Sequence, residues 1–288
     1  MATTTTPHAG SLHRQRRFRR IGMVILYTLF GIVAFTFTLP FFLMMSNAFK
    51  TSSEILRIPP TFIPRDPSLS SFRTVINEAP YFRWFGNSLL VSLSVTAMVL
   101  LTCSLAGYIF AKFTFPGRDA IFVVLLMTMM VPFPVLLIPS YLVVNKLGLV
   151  NSLWALIVPG MTSAFGIFLM RQFIAGIPND LIEAARLDGA SEWAIFARIV
   201  VPLARPPMAA LGIFTFLAAW NDYLWPLIVI NDLNKSTLPL ALTFFNSQHA
   251  QRYDLVMAAA AMAVIPVIIV FVIFQRQIVN ALVLAGLK

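Results

Sequence analysis

Six long apolar runs, separated by polar or proline-rich stretches, organise this chain. They extend over Ile21 to about Met45, Phe85 to Phe110, Ala120 to Val144, Leu153 to Met170, Pro207 to Ile230 and Leu255 to Phe274. A helix needs about 20 residues to cross roughly 30 Å of hydrocarbon, and these runs match that length. No alternating barrel pattern is present, so the backbone groups of each run must be satisfied within a helix. The pattern predicts an all-α membrane protein with six transmembrane helices and both ends on one side. Prolines punctuate the later runs: Pro132, Pro134 and Pro139 in the third, Pro159 in the fourth, Pro226 in the fifth and Pro266 in the sixth. Each frees a carbonyl and kinks its helix, which suits helices that rearrange but is also common in membrane helices generally.

Between the fourth and fifth runs lies a polar segment with helix signals. Pro178 suits a first helical turn, Asn179 and Asp180 stand near the positive helix end, and Glu183 is spaced to pair with Arg186. Gly189 tolerates the left-handed conformation that ends a helix. A second helical stretch is expected from about Ser191 to Val201, stopping before Pro202, with Ile195 and Ile199 on an apolar side. Ala184 and Ala185 are small enough for another protein to approach closely.

Composition agrees with a bilayer protein: 59% of the 288 residues are hydrophobic and only 11% charged. The net charge of +10 forms no stripe with interleaved aromatics, which argues against nucleic acid. The Lys and Arg residues instead gather at run ends. Arg14, Arg16, Arg17, Arg19 and Arg20 precede the first run, and Lys112, Arg118, Arg171, Arg186, Arg198, Arg205 and Arg276 fall on the same side of a six-span topology. The short loops opposite carry only Lys146, Lys235 and Arg252, and Lys50, Arg57, Arg65, Arg73 and Arg83 of the first outer loop weigh less because that loop is long, so both termini are expected in the cytoplasm together with the Glu183 segment. The single cysteine, Cys103, reads as a small core residue, and His249 as a solvated loop residue.

The run Glu183-Ala184-Ala185, three residues, Gly189, nine residues, then Ile199 and Pro202, resembles the cytoplasmic loop of ATP-binding-cassette (ABC) importer permeases, with Val201 where leucine is usual. A second stretch, Trp220-Asn221-Asp222-Tyr223-Leu224-Trp225-Pro226, is similar to the Trp-Asn-Glu-Phe-Leu-Trp-Pro signature of carbohydrate permeases, with Asp222 and Tyr223 as departures. The likeness, over roughly Trp84 to Arg276, is to the maltose-type inner-membrane permease subunit. The tail from Gln275 to Lys288 departs from the usual Gly-Leu-Thr-Ala-Gly-Ala-Val-Lys-Gly ending.

That resemblance implies a type I ABC importer permease fold. It divides the chain into a basic cytoplasmic tail (1–20), a first helix with its outer loop (21–83), the importer membrane domain (84–276) and a cytoplasmic tail (277–288). The cytoplasmic coupling segment is 177–206. Glu183, Ala184, Ala185, Asp188, Gly189 and Ala190 would dock an ATPase subunit, and Trp220, Asn221, Asp222 and Tyr223 are candidates for the translocation path. The implied partners are a second homologous permease, two ATP-binding subunits, an extracytoplasmic sugar-binding protein and membrane lipid of a bacterial inner membrane. The chain contains no G-x-x-x-x-G-K-[ST] phosphate loop, so it is not expected to be the ATPase, and ATP and Mg are expected in the partner ATPase subunits; no catalytic, cofactor or metal site is expected in this chain. Sugar is the expected cargo, with glycerol phosphate esters or polyols as the alternative. A proton-coupled secondary transporter would need buried titratable groups on several spans, and Asp222 is the one clear candidate.

Overall fold

The computed structural model describes residues 9–248 and 252–286, all helical or irregular. His249 and residues 1–8, 250, 251, 287 and 288 lie outside them. A long N-terminal helix α1 (Ala9–Ala48) leads to the short α2 (Ser52–Ile55), α3 (Ser70–Glu78) and the 32-residue α4 (Tyr81–Lys112). Then come α5 (Arg118–Thr128), α6 (Phe133–Lys146), the one-turn α7 (Trp154–Ile157) and α8 (Ala164–Ala175). The polar segment forms α9 (Asn179–Leu187), α10 (Glu192–Ile195), a π-helical turn (Phe196–Val200) and α11 (Val201–Leu203). The chain continues through α12 (Arg205–Trp220), α13 (Leu224–Val229), α14 (Leu238–Gln248) and α15 (Tyr253–Gly286).

Among the described residues, four helical stretches are long and apolar enough to cross a bilayer: Ile21–Ala48, Tyr81–Lys112, Trp154–Ala175 and Tyr253–Gln275. Two bent pairs raise the number to six if each counts as one span. They are α5 with α6, bent by 105°, and Glu192–Leu203 with α12, bent by 79°. The third run is therefore not one straight helix. Pro132 adopts an extended conformation (ψ 135°) and begins α6 with Pro134 in its first turn, where a missing N–H costs no helical hydrogen bond. The fifth run likewise stops at Trp220 and restarts at Leu224, which leaves Asp222 in a break between helices.

Helix α4 is the axis of the molecule, with its most extensive contacts against α8 and α12. In lipid, helix association rests on close packing rather than on escape from water, so small residues at the contact matter. A Cβ on Gly107 of α4 would stand 2.6 Å from the Cβ of Met170, and one on Gly166 of α8 would stand 2.7 Å from Cys103 Sγ. The break before α8 frees carbonyls that α4 satisfies. Thr102 Oγ1 donates to the Met161 carbonyl at 2.8 Å and Cys103 Sγ to that of Ser163 at 3.4 Å. A second cluster joins α3, α4, α12, α14 and α15 around Trp84, Phe216, Trp220, Phe245 and Ala259. There Asp254 is buried, accepting a hydrogen bond from Ser71 and pairing with Arg252 at 2.8 Å.

Candidate coupling segment and membrane cavity

Helix α9 ends in a Schellman turn. Gly189 has φ +80°, its N–H donates to the Arg186 carbonyl, and the Ala190 N–H donates to that of Ala185, both at 3.0 Å. Asp188 is the C-cap. Two residues on, the Ser191 hydroxyl accepts from the Ala194 N–H and starts α10. The result is two short helices meeting at a tight corner. The buried Ile177, Ile182, Ile195, Phe196 and Val200 hold one side of it on the core. The other side is open: Glu183, Ala184, Asp188 and Gly189 are exposed, Ala185 and Ala190 half-buried, and Leu187 and Trp193 are 89% and 67% accessible. Exposed apolar side chains flanking small residues make a surface suited to a protein partner.

Two local expectations give way. The second stretch continues through Pro202 to Leu203, because the π turn just before the proline loosens the normal i to i−4 pattern with which its ring would clash. Arg186 pairs with Glu192 at 2.6 Å and not with Glu183, which makes no ion pair or side-chain hydrogen bond among the described residues. An exposed pair one helical turn apart is worth only a few tenths of a kcal/mol, too little to hold Arg186 against a better partner. Glu192 is the better partner because it is already fixed, accepting from Tyr108 Oη at 2.8 Å. The hydrogen bond to Glu192 raises the pKa of the Arg186 guanidinium above its already high ordinary value, so it is charged throughout the usable pH range. Lys112 Nζ donates to Asn179 Oδ1 at 2.7 Å, close to the start of α9. Neither Tyr108 nor Lys112 carried a sequence signal for this role, since each lies more than sixty residues from its partner.

The four residues of the aromatic stretch divide. Trp220 is buried, stacked with Phe216 and edge-on to Phe85 at 5.8 and 5.6 Å, so it packs the core and is not among the residues lining the cavity that Asp222 faces. Asn221 is exposed and donates to the Leu217 carbonyl, and Tyr223 is exposed as well. Asp222 faces a partly open cavity of about 390 Å3 between α4, α6, α7, α12 and α13. One of its oxygens accepts weakly from the Trp225 N–H at 3.4 Å. Phe133 and Trp225 supply aromatic walls, edge-on at 6.5 Å, and Ser140, Thr215 and Thr237 supply hydroxyls. The Thr237 hydroxyl is buried without a hydrogen-bond partner among the described residues. No lysine or arginine lines the cavity among the described residues. No group of three or more potential metal ligands occurs among them either.

Apolar helices of spanning length mark a membrane component that carries a cavity and an exposed helix pair. The chain belongs to the family of binding-protein-dependent transport system inner membrane components, whose model matches residues 103–283. It is similar to the arabinooligosaccharides transport system permease protein AraQ of Halalkalibacterium halodurans, 35% identical over 90% of this chain and 94% of that protein. It is also similar to the lactose transport system permease protein LacG of Rhizobium radiobacter, 36% identical over 92% and 96%. The sn-glycerol-3-phosphate transport system permease protein UgpE of Salmonella typhi is 32% identical over 88% and 92%. In fold, the chain matches a bacterial ABC transporter involved in the import of the acidic polysaccharide alginate, with a TM-score of 0.81, 23% identity and coverage of 95% and 99%.

Proposed function

We propose that this chain is one of two permease subunits of an ATP-driven, binding-protein-dependent importer of neutral oligosaccharides in a bacterial cytoplasmic membrane. Similarity across nine-tenths of the chain to permeases named for arabinooligosaccharides and lactose carries the reading. In this arrangement six spans place both termini in the cytoplasm, and a binding protein delivers sugar from outside. Two ATP-binding subunits hold ATP and Mg, and this chain hydrolyses nothing. Their closure pushes on Glu183, Ala184, Ala185, Asp188, Gly189 and Ala190 and converts the spans between outward and inward states.

The cavity supports sugar as cargo. Aromatic faces suit the C–H surfaces of a pyranose, while a carboxylate and hydroxyls accept and donate to its hydroxyl groups. A second reading, import of glycerol phosphate esters, is favoured by the similarity to UgpE. Asp222 argues against it, because a carboxylate with no cation beside it repels a phosphate. ATP hydrolysis by the reconstituted complex with its binding protein, measured with arabinooligosaccharide, lactose or sn-glycerol 3-phosphate, separates the two. Stimulation by a neutral sugar is expected, and stimulation by the phosphate ester alone would overturn the cargo assignment.

A further inference from the structure

The coupling segment is joined by the chain to α8 on one side and α12 on the other, yet its side chains are tied to α4. At the start of α9, Lys112 Nζ donates to Asn179 Oδ1 at 2.7 Å and to the Ile177 carbonyl. At the corner, Glu192 bridges the two structures: Oε2 accepts from Tyr108 Oη at 2.8 Å and Oε1 from Arg186 Nε at 2.6 Å. Arg186 also lies 5.7 Å from the centre of the Phe113 ring, just past the end of α4. Tyr108 is itself immobilised, with its ring 5.3 Å from Phe113 and 5.7 Å from Phe196. Both α9 and α10 are therefore pinned to the last turns of α4.

Helix α4 has little freedom to slip past α8, because Gly107 lies directly against the α8 backbone at Met170 and Arg171, and Gly166 lies directly against the Cys103 side chain. Its opposite part supplies Val91 and Val95 to the cavity wall, 13 to 17 residues from Tyr108, about 20–26 Å along the helix. A displacement of the corner thus reaches the cavity through a continuous helix. The α8–α9 and α11–α12 joints, by contrast, pass through the turn at Gly176 and the kink at Ala204 and are not continuous helices.

We infer that Glu192 is a positioning residue that clamps the coupling segment to α4 through Tyr108 and Arg186, so that force applied at α9 moves the cavity wall. This rests on the reading of 177–206 as the ATPase-docking segment. The clamp differs from an ordinary surface ion pair, which contributes almost nothing, in that one of its three members is a buried tyrosine and its bonds are charge-assisted.

The test uses the whole complex in proteoliposomes with its binding protein, and reads sugar moved per ATP hydrolysed alongside retention of the ATPase on purification. Uptake driven by ATP in the wild type is measured first, and its absence would refute the transport reading itself. With that established, Glu192→Ala should keep the ATPase bound and hydrolysing while sugar moved per ATP falls about tenfold, the factor one charge-assisted hydrogen bond represents. Tyr108→Phe, which keeps the ring packing, should lower the same ratio, and it carries the test alone if loss of the charge impairs assembly. Exchanging the charges, Arg186→Glu with Glu192→Arg, should recover much of the loss. A wild-type ratio in Glu192→Ala and Tyr108→Phe would overturn the clamp. So would a parallel loss of ATPase retention and transport with no recovery on charge exchange, because that is the signature of a merely structural contact.

Discussion

Replacing Gly189 with alanine isolates the corner between α9 and α10. An added Cβ there meets nothing within 4 Å, so no steric clash contributes. The whole cost comes from φ +80°, a conformation that penalises an L side chain by about 1–2 kcal/mol. That is a small part of the 5–15 kcal/mol typical of a folded domain, and the subunit should reach the membrane at near-normal levels. It is nevertheless enough to depopulate the turn by roughly fivefold or more, since 1.4 kcal/mol is a factor of ten. The two Schellman hydrogen bonds to Arg186 and Ala185 depend on that turn, and with them the relative placement of the two helices. Membrane level, ATPase co-purification and initial uptake rate measured together give the readout. Gly189→Ala should lower uptake and substrate-stimulated hydrolysis together by about fivefold and weaken ATPase retention. Gly189→Asn, which tolerates the left-handed region, should stay near wild type. Glu183→Ala should also reduce uptake without loss of stability, because Glu183 is exposed and makes no ion pair or side-chain hydrogen bond among the described residues. Wild-type behaviour of both Gly189→Ala and Glu183→Ala would refute the docking role, and equal damage from asparagine would refute the backbone argument.

Three other outcomes follow from the geometry. Gly107→Ala should lower the unfolding temperature of the complex through an overpacking cost of about 1–3 kcal/mol, since the new Cβ meets Met170 Cβ at 2.6 Å and Arg171 N at 2.9 Å. Gly86→Ala in the same helix, with open space around it, should not, and equal unfolding temperatures would dismiss close packing as the α4–α8 contact. Asp222→Asn keeps the bond from Trp225 N but loses its charge, so the KM for sugar uptake should rise about tenfold with assembly intact, and an unchanged KM would remove Asp222 from the path. A cysteine in place of Ser191 should react with impermeant maleimide only from the cytoplasmic side and one in place of Asn234 only from outside, whereas labelling of both from one side would break the six-span topology.

The apolar runs made the helices legible, because in a membrane hydrophobic length alone selects helix positions. Their breaks were less legible. Prolines marked where the third and fifth runs weaken, but the size of the 105° bend between α5 and α6 has no local signal, and the helices each half packs against, α8 and α13, are distant in sequence. The corner at Gly189 was readable from local rules, since a C-terminal glycine followed by a serine cap is a short-range device. The clamp on that corner was not. Tyr108 and Glu192 are 84 residues apart, and a helix-period reading of either segment points Arg186 at Glu183, the nearer and weaker partner. Trp220 and Asp222 stand two residues apart in one signature and still separate into core and cavity, because the helix ends between them.

Sugar uptake by proteoliposomes containing the two permeases, the ATPase and the binding protein shows what energy drives the transporter. Uptake should require ATP on the nucleotide-binding side, stop with a non-hydrolysable analogue, and continue undiminished when an uncoupler collapses the proton gradient. Uptake that proceeds without ATP and ceases with the uncoupler would mean a proton-driven transporter, with Asp222 as the group to carry the proton.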